Sequence, residues 1–156
     1  MAWISLALRH PENKQYGNQL TTNITEYSRA IRGVHRHLSV EQAHFNRLKK
    51  TELRDIKSEY MEVRDRRPDI KGDSAEYENW KVEYTKAQED YQNRKADIED
   101  YFDDVNSDLE SDAQDEEDWW QQLQTQDETQ RDAVSAEDQA IADSIKTEID
   151  NAAIKL

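Results

Sequence analysis

The chain contains no cysteine, three glycines and two prolines in 156 residues. Without cysteine it forms no disulfide and no thiolate metal site, and cysteine usage leaves the redox compartment unreadable. So little glycine and proline excludes a fold made of many tight turns and suits one made of long helices. Pro11, Gly17, Gly33, Pro68 and Gly72 are the complete set of breakers, and none falls in the last 84 residues. Long apolar runs are missing as well. The opening MAWISLAL supplies eight residues before Arg9, too few to span a bilayer. It has neither a basic start nor a small-residue cleavage site, so it is not expected to serve as a cleaved secretory signal.

What the chain has in quantity is charge and aromatic rings. Charged residues make up 36%, the net charge is −14, and seven tyrosines and four tryptophans accompany them. That is too aromatic for a disordered acidic chain, and the length suits one domain. The charge is uneven: residues 1–72 hold 14 Lys and Arg against 9 Asp and Glu, whereas residues 73–156 hold 7 against 26. A chain that is basic first and acidic second is suited to folding back on itself.

RRPDIKGDS (66–74) marks where it folds. Pro68 disfavours helix at Arg67, Gly72 supplies a turn, and Asp73 with Glu76 spells a helix-capping pattern. HPE (10–12) reads as a weaker boundary, with Pro11 suited to the first turn of a helix. The expected layout is one elongated helical domain over 1–156. An apolar N-terminal segment (1–10) precedes helix one (12–66), a turn (67–74) and helix two (75–156). There is no internal repeat.

Periodicity supports both helices. Tyr77, Trp80, Tyr84, Ala87, Tyr91, Arg94, Ile98, Tyr101 and Val105 alternate steps of three and four, a heptad seam. Helix one carries Leu20, Ile24, Tyr27, Ile31, Val34 and Leu38, then Phe45 and Leu48, then, after a one-residue slip, Leu53, Ile56, Tyr60 and Val63. The seam of helix two turns polar in QTQDETQRD, which predicts a bend near 124–133, and resumes with Val134 and Ile141. The expected class is all-α: a long antiparallel, coiled-coil-like helical hairpin with apolar helical termini.

DDVNSDLESDAQDEEDWW (103–120) is the densest acidic stretch. With the turn centred near residue 70, residue i faces roughly residue 141 minus i. Asp103, Asp104, Asp108 and Asp112 then oppose Arg29, Arg32 and Arg36, an intrachain charge zipper that would select register. A calcium loop is the competing reading, because Asp104, Asn106, Asp108, Glu110 and Asp112 alternate. Its sixth position is Leu109 in place of glycine and its twelfth Asp115 in place of glutamate, so no metal is expected. His35 and His37 lie on different helical faces, and with His10 and His44 they read as surface residues near acidic partners. Asn23-Ile24-Thr25 spells a glycosylation sequon. The acidic half repels phosphate, which argues against a nucleic-acid partner. No phosphate loop, nucleophile elbow or carboxylate–histidine metal pattern occurs, so neither an enzyme nor a cofactor is expected.

Helix two, at about 120 Å, would outrun helix one, at about 80 Å. Trp3, Ile4, Leu6 and Leu8 at one end and Ile141, Ile145, Ile149, Ile154 and Leu156 at the other would converge at the open end. A two-helix core is too thin to bury both stripes. In MAWISLALRH, the PDIKGD turn and AIADSIKTEIDNAAIKL, the chain resembles needle and filament subunits exported by flagellar or type III-like secretion systems. The resemblance implies terminal helices forming a filament core, with the export machinery as a partner. The expected function is a structural subunit that assembles with itself into a filament or helical tube. It would be extracellular or on the cell surface if exported, and cytoplasmic otherwise. The alternative is a coiled-coil adaptor or secretion-chaperone-like binding module.

Overall fold

The structure, a computed structural model, describes residues 2–68 and 75–154, and side chains over 9–68 and 75–153. Two helices account for nearly all of them: α1 (Ala2–Asp65) and α2 (Ala75–Ile154). They pack against each other as an antiparallel, all-α helical hairpin, and the described residues include no strand. The expected turn residues Gly72 and Asp73 lie outside the described residues.

α1 ends as the sequence predicts. The Arg66 N–H reaches back four residues to the Glu62 carbonyl (3.2 Å), and the Arg67 N–H only three, to Arg64 (3.3 Å). That tightening is how a helix commonly terminates, and Pro68 disfavours a further turn. α2 opens with Glu76 and Glu78 in its first turn, where carboxylates complement the exposed N–H groups.

Two boundaries differ from expectation. α1 begins at Ala2 and runs through Pro11, although a proline inside a helix costs about 3 kcal/mol through its missing N–H and its clash with the preceding turn. The segment is fastened to α2 just before that defect: Arg9 pairs with Glu137 and His10 with Asp138, and tertiary contacts of this kind override local propensity. α2, for its part, stays helical through 124–133 without a break. Its polar seam meets polar partners. The Asn23 side-chain amide donates to Asp127 at 3.0 Å, and the Tyr16 hydroxyl to Gln130 at 2.8 Å. Gln121 and Gln124 add bonds to Glu117 and Glu128, one helical turn away on the same helix.

The chain divides into two compact units. The terminal unit combines residues 1–35 with 114–156, and the middle unit is the contiguous stretch 36–113. Leu20, Val34 and Ile141 are buried in the first, Ile56 and Phe102 in the second. In the middle unit the seam slips by one residue on both helices. Leu48 and Tyr101 are exposed, while Phe102 is only 2% exposed and Lys49 is half-buried beside it in the pattern. The run Phe45, Lys49, Leu53 and the run Ala87, Tyr91, Lys95, Ile98, Phe102 each contain an extra four-residue step. An added step of four keeps a stripe facing its partner without supercoiling.

Candidate functional site

The apolar residues expected to form an assembly surface separate into three groups. Ile141 is 4% exposed and belongs to the core of the terminal unit, so it is not available to another subunit. Ile145 is half-buried. Ile149 is 62% exposed. The side chains of Trp3, Ile4, Leu6, Leu8, Ile154 and Leu156 lie outside the described residues. Arg9 with Glu137 and His10 with Asp138 set the level of the two helices here. Continued at the same register, Ala2 stands opposite residues 144–146. The side chains from Lys146 to Ala153 are all exposed.

The charge zipper does not form in the expected register. Cross-helix pairs place Arg9 with Glu137, Asn23 with Asp127 and His35 with Glu117 in the terminal unit. In the middle unit they place Gln42 with Glu110, Lys49 with Asp103 (2.7 Å), Glu59 with Arg94 and Arg66 with Glu83. Partner numbers therefore add to 146–153 instead of 141, a displacement of about two helical turns. Asp103 pairs with Lys49, and Asp104, Asp108 and Asp112 are exposed without an ion pair among the described residues. The same holds for Arg29, Arg32 and Arg36. Residues 104–115 are helical, so the alternate carboxylates are spread around a helix instead of lining a loop. Among the described residues no three His, Asp or Glu converge as metal ligands would.

Beside the turn the cross-helix contacts are made mainly by rings, and they lie closer to the expected alignment than the ion pairs do. The Arg67 guanidinium sits over the rings of Tyr77 and Trp80, at 5.9 and 5.7 Å. The first turns of α2 thus lie beside chain beyond the end of α1. The Trp80 indole N–H donates to the Val63 carbonyl at 2.9 Å, and Tyr60 packs between Tyr84 and Tyr91 (5.7 and 5.2 Å). Aromatic pairs contribute about 0.5–1.5 kcal/mol beyond the area they bury, against about 0–1 kcal/mol for an exposed ion pair. Pair for pair, ring packing therefore contributes more to holding the helices together than the exposed charges do.

This aromatic cluster is the most organised group of polar-capable side chains in the middle unit. The hydroxyls of Tyr60 and Tyr84 are hydrogen-bonded at 2.7 Å. Tyr60 titrates above its ordinary value, first because of that bond and second because of burial. A hollow of about 150 Å³, bordered by Ile56, Tyr60, Val63, Ala87, Tyr91 and Arg94, lies alongside. In the sequence these tyrosines read only as seam residues, because spacing reveals which face a ring occupies but not which hydroxyl it meets. The terminal unit has a smaller counterpart. Tyr27 packs on Trp120 (5.8 Å), and its phenol is raised by burial first and by the neighbouring Asp127 carboxylate second. A polar trough in the same unit is lined entirely by α2, from Asp118 to Gln130. His10 and His35 meet the acidic partners expected of them, Asp138 and Glu117. Asn23, in the sequon, is half-buried and engaged with Asp127.

No helix among the described residues is long and apolar enough to cross a membrane. No protein-family model, curated protein or solved structure matches the chain.

Proposed function

We propose that the chain is a structural, non-enzymatic subunit that assembles with further copies of itself, through its apolar terminal turns, into a filament or helical tube. The observation supporting this reading is the pairing of a buried Ile141 with an Ile149 that is 62% exposed. Beyond Ile145 the side chains of α2 from Lys146 to Ala153 are all exposed. Burying an isoleucine contributes about 1.5–3 kcal/mol, and a repeated contact gains that amount at every subunit. In this reading the filament is exported through a secretion apparatus and stands outside the cell or on its surface.

Sedimentation and negative-stain microscopy of the purified chain test the reading, with Ile149→Asp as the decisive variant. Asp in place of a buried isoleucine leaves an unpaired charge in an apolar contact, a cost of several kcal/mol. The wild type should pellet as ordered fibres, and Ile149→Asp should stay soluble with unchanged helicity by circular dichroism. Val82→Asp, at a site 70% exposed in the middle unit, should pellet as the parent does. A wild type that remains monomeric at all concentrations replaces this reading with the coiled-coil adaptor or secretion-chaperone-like module.

A further inference from the structure

We propose that Tyr60 and Tyr84 are an oxidative cross-linking site, at which a one-electron oxidant joins α1 to α2 through an intrachain dityrosine bond. The two residues are 24 apart in sequence and face each other across the helix pair, their hydroxyl oxygens 2.7 Å apart. Their ring centroids are 5.7 Å apart, with the planes tilted by 33°. Because the oxygens are closer than the centroids, the hydroxyl-bearing edges converge. The carbons ortho to each oxygen lie on those edges, and they carry much of the unpaired spin once a phenol becomes a phenoxyl radical. Tyr91 also stacks on Tyr60, at 5.2 Å and 18°, but nearly parallel faces do not bring ortho carbons edge to edge.

The surroundings favour this pair as the place where oxidation ends. Trp80 stacks on Tyr84 at 5.1 Å and 19°, and Tyr77 lies 5.7 Å from Trp80. An electron removed from any ring of the run can be replaced from its neighbour until the hole rests on a tyrosine. The chain has no cysteine, so no thiol of its own quenches the radical.

The reaction balances as follows. The oxidant accepts one electron from each ring, and each phenol releases its O–H proton to water. The two radicals form one carbon–carbon bond between ortho carbons. The hydrogen on each of those carbons is then lost as a proton while each oxygen regains one, which restores both hydroxyls. The chain loses two electrons and two protons, taken up by two equivalents of oxidant and by solvent.

The test is photo-oxidation of the dilute full-length chain with ruthenium tris-bipyridine, persulfate serving as terminal electron acceptor. Dityrosine fluorescence, intact mass and peptide mapping provide the readouts. The expected product is a monomer lighter by two hydrogens, with the link mapped to Tyr60 and Tyr84. Tyr60→Phe and Tyr84→Phe should each abolish it, while Tyr91→Phe and Tyr101→Phe should leave it in place. A link mapping to Tyr91, cross-linking only between chains, persistence of the signal in Tyr60→Phe, or no link under conditions that couple free tyrosine would each overturn the proposal.

Discussion

Phe102 and Tyr101 are adjacent aromatic residues with opposite fates, one 2% exposed and the other 58%. The heptad count assigns the seam to Tyr101, and the structure assigns it to Phe102. Helix two takes an extra residue between Tyr91 and Lys95, as helix one does between Phe45 and Leu53, and such a slip is invisible while an unbroken heptad count is available. Phe102→Ala should therefore destabilise the hairpin by about 3–5 kcal/mol, whereas Tyr101→Ala should cost less than about 1 kcal/mol. Urea unfolding followed by circular dichroism separates the two, and equal losses would restore the original seam. Gly33 makes the contrasting case. A Cβ added there meets nothing within 4 Å, so no packing requirement explains a glycine in mid-helix. Gly33→Ala should stabilise the chain by about 0.5–1 kcal/mol, which for a protein of this size raises Tm by about 1–4 °C.

Among the elements, the two helices and the break between them were legible, and their alignment was not. Helix content and the turn follow from breakers and from three–four spacing, both local properties. Register is a property of the pair. The sequence offers a plausible match of Arg29, Arg32 and Arg36 to the acidic run, but exposed charges are too weak and too evenly scattered to exclude the alternative two turns away. The aromatic contacts of Tyr60, Trp80 and Tyr84 are individually stronger, but spacing alone does not show which rings meet. Pro11 and the polar seam at 124–133 failed as boundaries for a related reason, since each irregularity is matched by a contact on the opposite helix. Introduced cysteines test the register directly, because the natural chain has none. Asn23→Cys with Asp127→Cys should be joined readily by a short bis-maleimide. Asn23→Cys with Asp118→Cys should not, because the site lies nine residues, or about 13 Å, further along the helix. The reverse preference would restore the zipper alignment.

On the scale of the whole molecule, the unformed zipper leaves like-charge repulsion to set the response to salt. Of 35 carboxylates, six take part in cross-helix ion pairs among the described residues, while the net charge of −14 opposes compaction. Raising salt from about 0.01 M to about 0.1 M shortens the screening length from about 30 Å to about 10 Å. The thermal midpoint should rise over that range, and a fall would mean that ion pairs outweigh repulsion. The assembly residues were legible in outline, as an apolar stripe. Their division into a core member, Ile141, and a free one, Ile149, depended on how far α1 extends past Pro11. The hairpin also orders its own folding. The cross-helix bonds enclose 17 residues at Arg66–Glu83, 24 at Tyr60–Tyr84, 54 at Lys49–Asp103, 104 at Asn23–Asp127 and 128 at His10–Asp138. Closing a loop costs entropy that grows with its length, so each wider contact is easiest to make after the narrower one has formed. The tyrosine cluster beside the turn is then the nucleus from which pairing spreads, and the contacts nearest the chain ends are the last to close and the first to open.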